Sequence, residues 1–434
     1  MQKKINIFLA LLLTVGILCG CQSQTDNNIE QLQEETEINE TEEQSFNEDT
    51  VTYDQTQQYD AIVLNDGDEI IGGTYTSSNN DESVMEISGN GNATVTGSLL
   101  QKTAGDASSA DASSFRGVNS AVRVYDKATL TLKDCTIKAQ ADNATGVFAY
   151  DNGTIYISDS TVDVTGGGAG GIQVAGGGTL YASNLNVTSK SKAAIRSDKG
   201  GGYMEVDGGT YTSTGKNGCP SIYSTADIRV SNATLISENS RAVIIEGKNS
   251  VTLKDCDLTG NDQSTKEGSI KANILLYQSA SGDASAGTSV FTSEGGRITS
   301  CSGAMFYCTN TSSVINLNNT DLILSDDGSL LIVSEGRWGK DGKNGGNCVV
   351  NAVNQTLEGI IQVDSTSSLE LNLSGSAFTG SIENKGKTSV ILDSSSTWTL
   401  TADSYVTSFT GDASNVIGNG HTLYVNGTAL SGTK

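Results

Sequence analysis

The sequence predicts an all-β fold, a single-stranded right-handed parallel β-helix of about a dozen coils with a C-terminal capping coil. Three observations lead there. A short segment recurs about every 21 to 32 residues: TLTLKDCTI from Thr129, TIYISDSTV from Thr154, TLYASNLNV from Thr179, DIRVSNATL from Asp227 and SVTLKDCDL from Ser250. Inside each copy the apolar residues alternate, as in Leu130/Leu132, Ile155/Ile157 and Ile228/Val230, which is the period of a half-buried strand. Between strands, the column Asp134, Asp159, Asn184, Gly208, Asn232, Asp255, Gly295, Asn319 and Gly375 contains only Asp, Asn and Gly, the residues that enter a left-handed backbone at least cost. A unit too short to enclose a core stacks on its neighbours, and equivalent strands then lie side by side in parallel. Parallel crossovers are right-handed.

The chain divides into three segments. Residues 1–20 have a basic start (Lys3, Lys4) and a short apolar run, which reads as a signal peptide and not a mature membrane span. The run ends in Leu18-Cys19-Gly20-Cys21, which resembles the lipobox of bacterial lipoproteins. That resemblance implies lipidation at Cys21 and a membrane anchor exposed on the extracellular side. Residues 21–60 form the second segment. From Gln22 to Asp60 there are twelve carboxylates and no Lys or Arg, too little apolar surface to offset ordering entropy, so this stretch is expected to be an extended tether. Residues 61–434 are the β-helix.

A second family of strands opens each coil, including AVRVY from Ala121, GVFAY from Gly146, GIQVA from Gly171, AIRSD from Ala194, SIYST from Ser221, AVIIE from Ala242, NILLY from Asn273 and AMFYC from Ala304. Their inward positions, among them Val122/Val124, Ile172/Val174, Val243/Ile245, Ile274/Leu276 and Ile361/Val363, are the expected core. One Pro and 50 Gly suit many tight corners without breaking ladder hydrogen bonds. Four insertions, 101–120, 260–272, 279–288 and 334–347, interrupt the repeat, and the last two follow equivalent strands and so leave one edge as a cleft wall. The segment from Ser396 to Gly432 shortens its repeats, as a cap covering an open solenoid end does.

The formal net charge is −24, half of it from the tether, which argues against nucleic acid as a partner. Cys135 and Cys256 occupy the same place in coils about five apart, roughly 24 Å, which is beyond disulfide reach, and both read as small core residues. A local pair among Cys301, Cys308 and Cys348 is conceivable but not favoured. With one histidine and no CxxC, no zinc site is expected. No cofactor is expected, the one ion left open being an irregular calcium site in acidic loops such as Ser325 to Gly328 or Asp341 to Lys343.

From Ile62 onward the repeat pattern resembles the pectin-lyase-like superfamily of right-handed β-helices, and the C-terminal stretch is similar to the ends of adhesin-like bacterial surface proteins. The superfamily resemblance implies that carboxylates and a basic residue of a lyase or hydrolase would sit on the outer face of the long parallel sheet. There, Arg196, Asp198 and Glu246 are the candidates, but the carboxylates are two coils apart with nothing to separate their pKa values. The GHG and RIK elements of the superfamily's galacturonases do not occur.

The same face carries Tyr125, Phe148, Tyr150, Tyr223, Tyr277 and Phe306, a strip suited to stacking on sugar rings or anchoring a protein unless loops fold over it. Trp338 with Arg337, in the insertion 334–347, completes the binding set. The sequence therefore points to a lipid-anchored surface protein, adhesin-like or carbohydrate-binding and without catalysis, with a glycan or a cell-surface protein as ligand. A polysaccharide lyase or glycoside hydrolase is the alternative reading, and a passive stalk with no ligand is the third.

Overall fold

A computed structural model describes residues 53–265 and 269–434. The leader, Cys21 and nearly all of the tether lie outside the described residues. The first strand, Gln58–Tyr59, is already part of the ladder, pairing in parallel with Thr74–Ser77.

The polypeptide winds as a right-handed parallel β-helix built from a 15-stranded and a 23-stranded parallel sheet. One strand per rung enters the 15-stranded sheet and up to two enter the other. In one rung these are Val122–Val124, Thr129–Lys133 and Thr136–Ala139. Fifteen rungs exceed the expected dozen. Alternation marks ten of their opening strands, from Val122–Val124 to Thr356–Val363, and leaves Ile62–Val63, Met85–Ile87, Ala377–Asn384, Thr397–Leu400 and Val416–Ile417 unmarked.

The Asp/Asn/Gly column is a file of left-handed corners. Asp134, Asp159, Asn184, Asn232, Asp255 and Asn319 have φ between 50° and 53°, and Gly208, Gly295 and Gly375 have φ of 68°, 65° and 59°. Backbone amides link successive corners to the next rung, Asp134 N–H to the Ser158 carbonyl and Asp159 N–H to the Ser183 carbonyl. Side chains add a second link: Asn184 Nδ2 donates to Asp159 Oδ1 at 2.9 Å, and Asn232 Nδ2 to Asp207 Oδ1 at 2.7 Å. The corner thus turns the chain and locks its register.

The expected core pairs are all buried. Cys135 and Cys256 are also buried, their thiols donating to the carbonyls of Lys133 and Lys254 at the ends of the preceding strands. Trp398 lies fully buried on Phe378, ring centroids 5.5 Å apart, and its Nε1 donates to the Gly380 carbonyl at 3.1 Å. The C-terminal cap closes the solenoid with a separate three-stranded sheet containing the antiparallel pair Leu423–Val425 and Thr428–Ala429.

Two outward assignments are corrected. Phe306 points into the core beside Phe291, centroids 5.9 Å apart. Ile274 pairs with Phe306 and Leu275 with Tyr307, so Tyr307 occupies the outward position, and Thr309 is the residue in register with outward Tyr277. The cause is the continuous apolar run Ala304 to Cys308, which has no polar residue to mark the face. Phe148 does face outward, but it is fully buried. Insertion 101–120 folds into a short helix, Ala110–Arg116, capped by Ser109 and Gly117, and a Cβ on Gly117 would lie 2.5 Å from the Phe148 ring. The helix end therefore sits directly on that ring.

The corner file is testable at one position. Asn184→Val places a β-branched residue at φ 51° and is expected to cost about 1–2 kcal/mol, whereas Asn184→Gly loses only the Asp159 hydrogen bond. Urea unfolding of the three proteins gives the comparison, and equal midpoints for Val and Asn would contradict a strained corner.

Candidate functional site

The outer face of the 15-stranded sheet carries a second apolar cluster, separate from the core. Ile244, Ala272, Leu275, Tyr277, Ala304 and Tyr307 form it, with Tyr223, Ile270, Ile332 and Trp338 packed against them. Such a patch outside a finished core needs a cover. Insertion 334–347 supplies part of it: Trp338 lies 4.5 Å from the Tyr277 ring, and Tyr307 Oη donates to the Glu335 carbonyl at 3.2 Å. Asn344 Nδ2 holds the turn by donating to the carbonyls of Gly336 and Trp338, at 2.6 and 2.7 Å. Trp338 is half-buried, while Arg337 is exposed with its guanidinium 4.1 Å above the indole.

The opposite wall comes from the corner at Asn217 and Gly218 and from insertion 260–272. Arg241 Nε and Asp262 Oδ2 form a buried ion pair at 3.0 Å, and Arg241 also donates to Ser269 Oγ at 3.2 Å and to the Ile270 carbonyl. A cavity of about 110 Å³ lies between the walls, with Tyr223, Ile244, Leu275 and Tyr277 as its floor. Drug-sized ligands occupy sites of about 300–1,000 Å³, so this one admits a single ring or side chain.

Beneath and beside the cleft runs a polar network. Glu246, fully buried, accepts from Tyr277 Oη at 2.8 Å, from Tyr223 Oη and from Ser279 Oγ of insertion 279–288. Insertions 279–288 and 334–347 follow strands Ala272–Tyr277 and Ser329–Val333 of the 15-stranded sheet and so leave the same edge. Asp198 accepts from Arg196 Nε at 2.7 Å and Nη2 at 3.1 Å, and from Gln173 Nε2 at 3.0 Å. Arg196 in turn lies 4.5 Å over the Tyr223 ring.

Burial disfavours charge on Arg196, but the Asp198 carboxylate, Tyr223 and the direct hydrogen bond outweigh it and hold its pKa above the ordinary value. Burial, with Tyr277 and Glu246 adding to it, pushes the Tyr223 phenol well above the usual range. The result is a neutral phenol donating to a carboxylate. Lys192, whose Nζ donates to Ser114 Oγ at 2.6 Å, is lowered to about 8, first by burial and then by Arg196.

Of the residues singled out in the sequence, Tyr223, Tyr277, Arg337 and Trp338 meet in one cleft. Arg196, Asp198 and Glu246 join them as the network below it. Tyr125 and Tyr150 remain half-exposed farther toward the N-terminus, where Arg123 covers the Tyr125 ring at 4.1 Å. Asp262 and Ser269 lie in insertion 260–272, where no period places a side chain, and Arg241 sits in the corner just before strand Val243–Glu246, outside the alternating positions. The acidic loop at Ser325 uses Asp327 to accept from Ser325 Oγ and Ser329 N–H. Among the described residues no group of three or more His, Cys, Asp or Glu side chains is placed to hold a metal.

Native Lys192 releases its proton near pH 8, whereas the unfolded chain holds it to about 10.5, so the unfolded state binds more protons between these values. Stability contributed at this position should therefore rise with pH in that window. Measured against Lys192→Met, the wild-type unfolding free energy is expected to gain on the order of 1–2 kcal/mol from pH 8 to 10.5, and a flat difference would mean the amine stays charged. No protein-family model matches this chain, and comparison with curated proteins finds no match.

Proposed function

We propose that this protein is a lipid-anchored, cell-surface β-helix of the pectin-lyase-like superfamily that binds carbohydrate without catalysis, as an adhesin-like module. The observation that carries the reading is the cleft: an aromatic side made by Tyr223, Tyr277 and Trp338 faces a polar side made by Arg241, Asp262, Ser264 and Ser269. A sugar ring presents an apolar C–H face to the first and hydroxyl groups to the second. The cleft's size favours one terminal ring over a long polymer segment. A rigid ladder with its own filled core can hold these loops without rearrangement.

The carboxylates argue for binding over hydrolysis. A glycosidase needs one protonated and one ionised carboxyl group free to reach the glycosidic bond. Here Asp198 is engaged by Arg196 and Gln173, and Glu246 by two tyrosines and a serine. One observation favours the lyase or hydrolase reading. Lys192, lowered to about 8 on the same face as Arg196, has the basicity that proton abstraction near neutral pH requires.

A glycan array probed with the purified protein, run beside assays for new reducing ends and unsaturated products, separates these readings and the passive stalk. Retention of a glycan is expected, with Trp338→Ala weakening it about tenfold or more and no product formed. Product that disappears in Lys192→Met would establish the enzyme instead. Silence in every assay would leave the stalk.

A further inference from the structure

The outer cleft is not the only place where inserted sequence brings distant residues together. Cys308, in strand Ala304–Thr309, and Cys348, in strand Asn347–Val353, belong to different sheets, yet their Sγ atoms lie 3.5 Å apart inside the core. Both side chains are buried. The backbone explains the approach: after insertion 334–347 the chain returns across the rung below. Asn310 N–H donates to the Asn344 carbonyl at 2.9 Å, and a Cβ on Gly346 would meet the Cys308 carbonyl oxygen at 2.6 Å.

The other described cysteines are arranged differently. Cys135 directs its thiol to the carbonyls of Lys133 and Val95, Cys256 to those of Lys254 and Val230, Cys219 to that of Ser191, and Cys301 is exposed. Among the described residues, sulfur faces sulfur at Cys308 and Cys348 alone.

We infer that Cys308 and Cys348 are a disulfide-forming pair, cross-linking the two sheets across the core at the base of the loop that carries Arg337 and Trp338. Bond formation brings the sulfurs roughly 1.5 Å closer than their present 3.5 Å. The two thiols lose two protons and two electrons. A disulfide oxidant, either a small-molecule disulfide or an oxidoreductase, takes the electrons and leaves as two thiols.

The Cys348 thiol is pushed well above its ordinary pKa by its contact with Cys308 and by burial, so thiolate is scarce once the core has closed. The bond therefore forms while the coil is still closing, and afterwards the core shields it from reductant. The covalent ring, from residue 308 to 348, encloses the whole insertion 334–347, so the cross-link restricts the unfolded chain and fixes the rung that presents Trp338. The cross-link does not depend on what the cleft binds.

The test is to refold the full chain in a buffer of oxidised and reduced glutathione, denature it in iodoacetamide without reductant, digest it and map the peptides by mass. Peptides containing Cys308 and Cys348 are expected to appear joined and lighter by the two lost hydrogens, with Cys135, Cys219, Cys256 and Cys301 alkylated. Alkylation of Cys308 and Cys348 in correctly folded protein would overturn the proposal. The double variant Cys308→Val/Cys348→Val keeps the core volume, so it reports on the bond and not on a cavity. Reductant added under native conditions should leave the wild-type linkage intact, while reductant with denaturant should release it and bring the refolding midpoint down to that of the variant. Linkage opening at the same rate in both conditions would contradict a bond enclosed by the core.

Discussion

Everything in this molecule depends on the parallel ladder being kept in register by a left-handed corner in each rung. A parallel strand pair has no hairpin to align it, and a one-residue slip would turn every inward residue outward. The Asp/Asn/Gly file prevents this by placing a positive φ at the same point in coil after coil and by tying corners such as Asn184 to Asp159 and Asn232 to Asp207. Those side chains and amides add to the main ladder at the one place where the chain changes direction. A narrow apolar interior then follows from alternation alone.

Because the ladder is complete in itself, variation is confined to what hangs on it. The helix Ala110–Arg116 covers Phe148, insertion 334–347 lays Trp338 on Tyr277, and insertion 260–272 brings Asp262 to Arg241. Between the last two, a short stretch of the outer face becomes the floor of a cleft. The carboxylates under the floor are consumed by local hydrogen bonds, which makes them supports for Tyr223, Tyr277 and Arg196. A fully satisfied polar network of this kind fixes aromatic positions.

The fold was legible because its signals repeat: one ambiguous strand is weak, but ten in phase are not. Legibility failed where the repeat is silent. In Ala304 to Cys308 every residue is apolar, so nothing marked which side faced in, and Phe306 was set outward when it packs on Phe291. The helix cover over Phe148 was equally invisible along the strand, although Ser109 and Gly117 are ordinary helix-end residues. Trp338, Tyr223 and Tyr277 were found separately, since their outward positions could be counted, while their convergence was not.

The sequence by itself determined the solenoid, its corners, its core and the face on which a site can lie, because each of these is a periodic property that neighbouring residues express. Tertiary structure alone decided which outward residues are covered, that Arg241 meets Asp262, and that Cys308 meets Cys348. Those outcomes depend on the path an insertion takes before the chain rejoins the ladder. That path is set by packing against surfaces many residues away, and no local pattern encodes it.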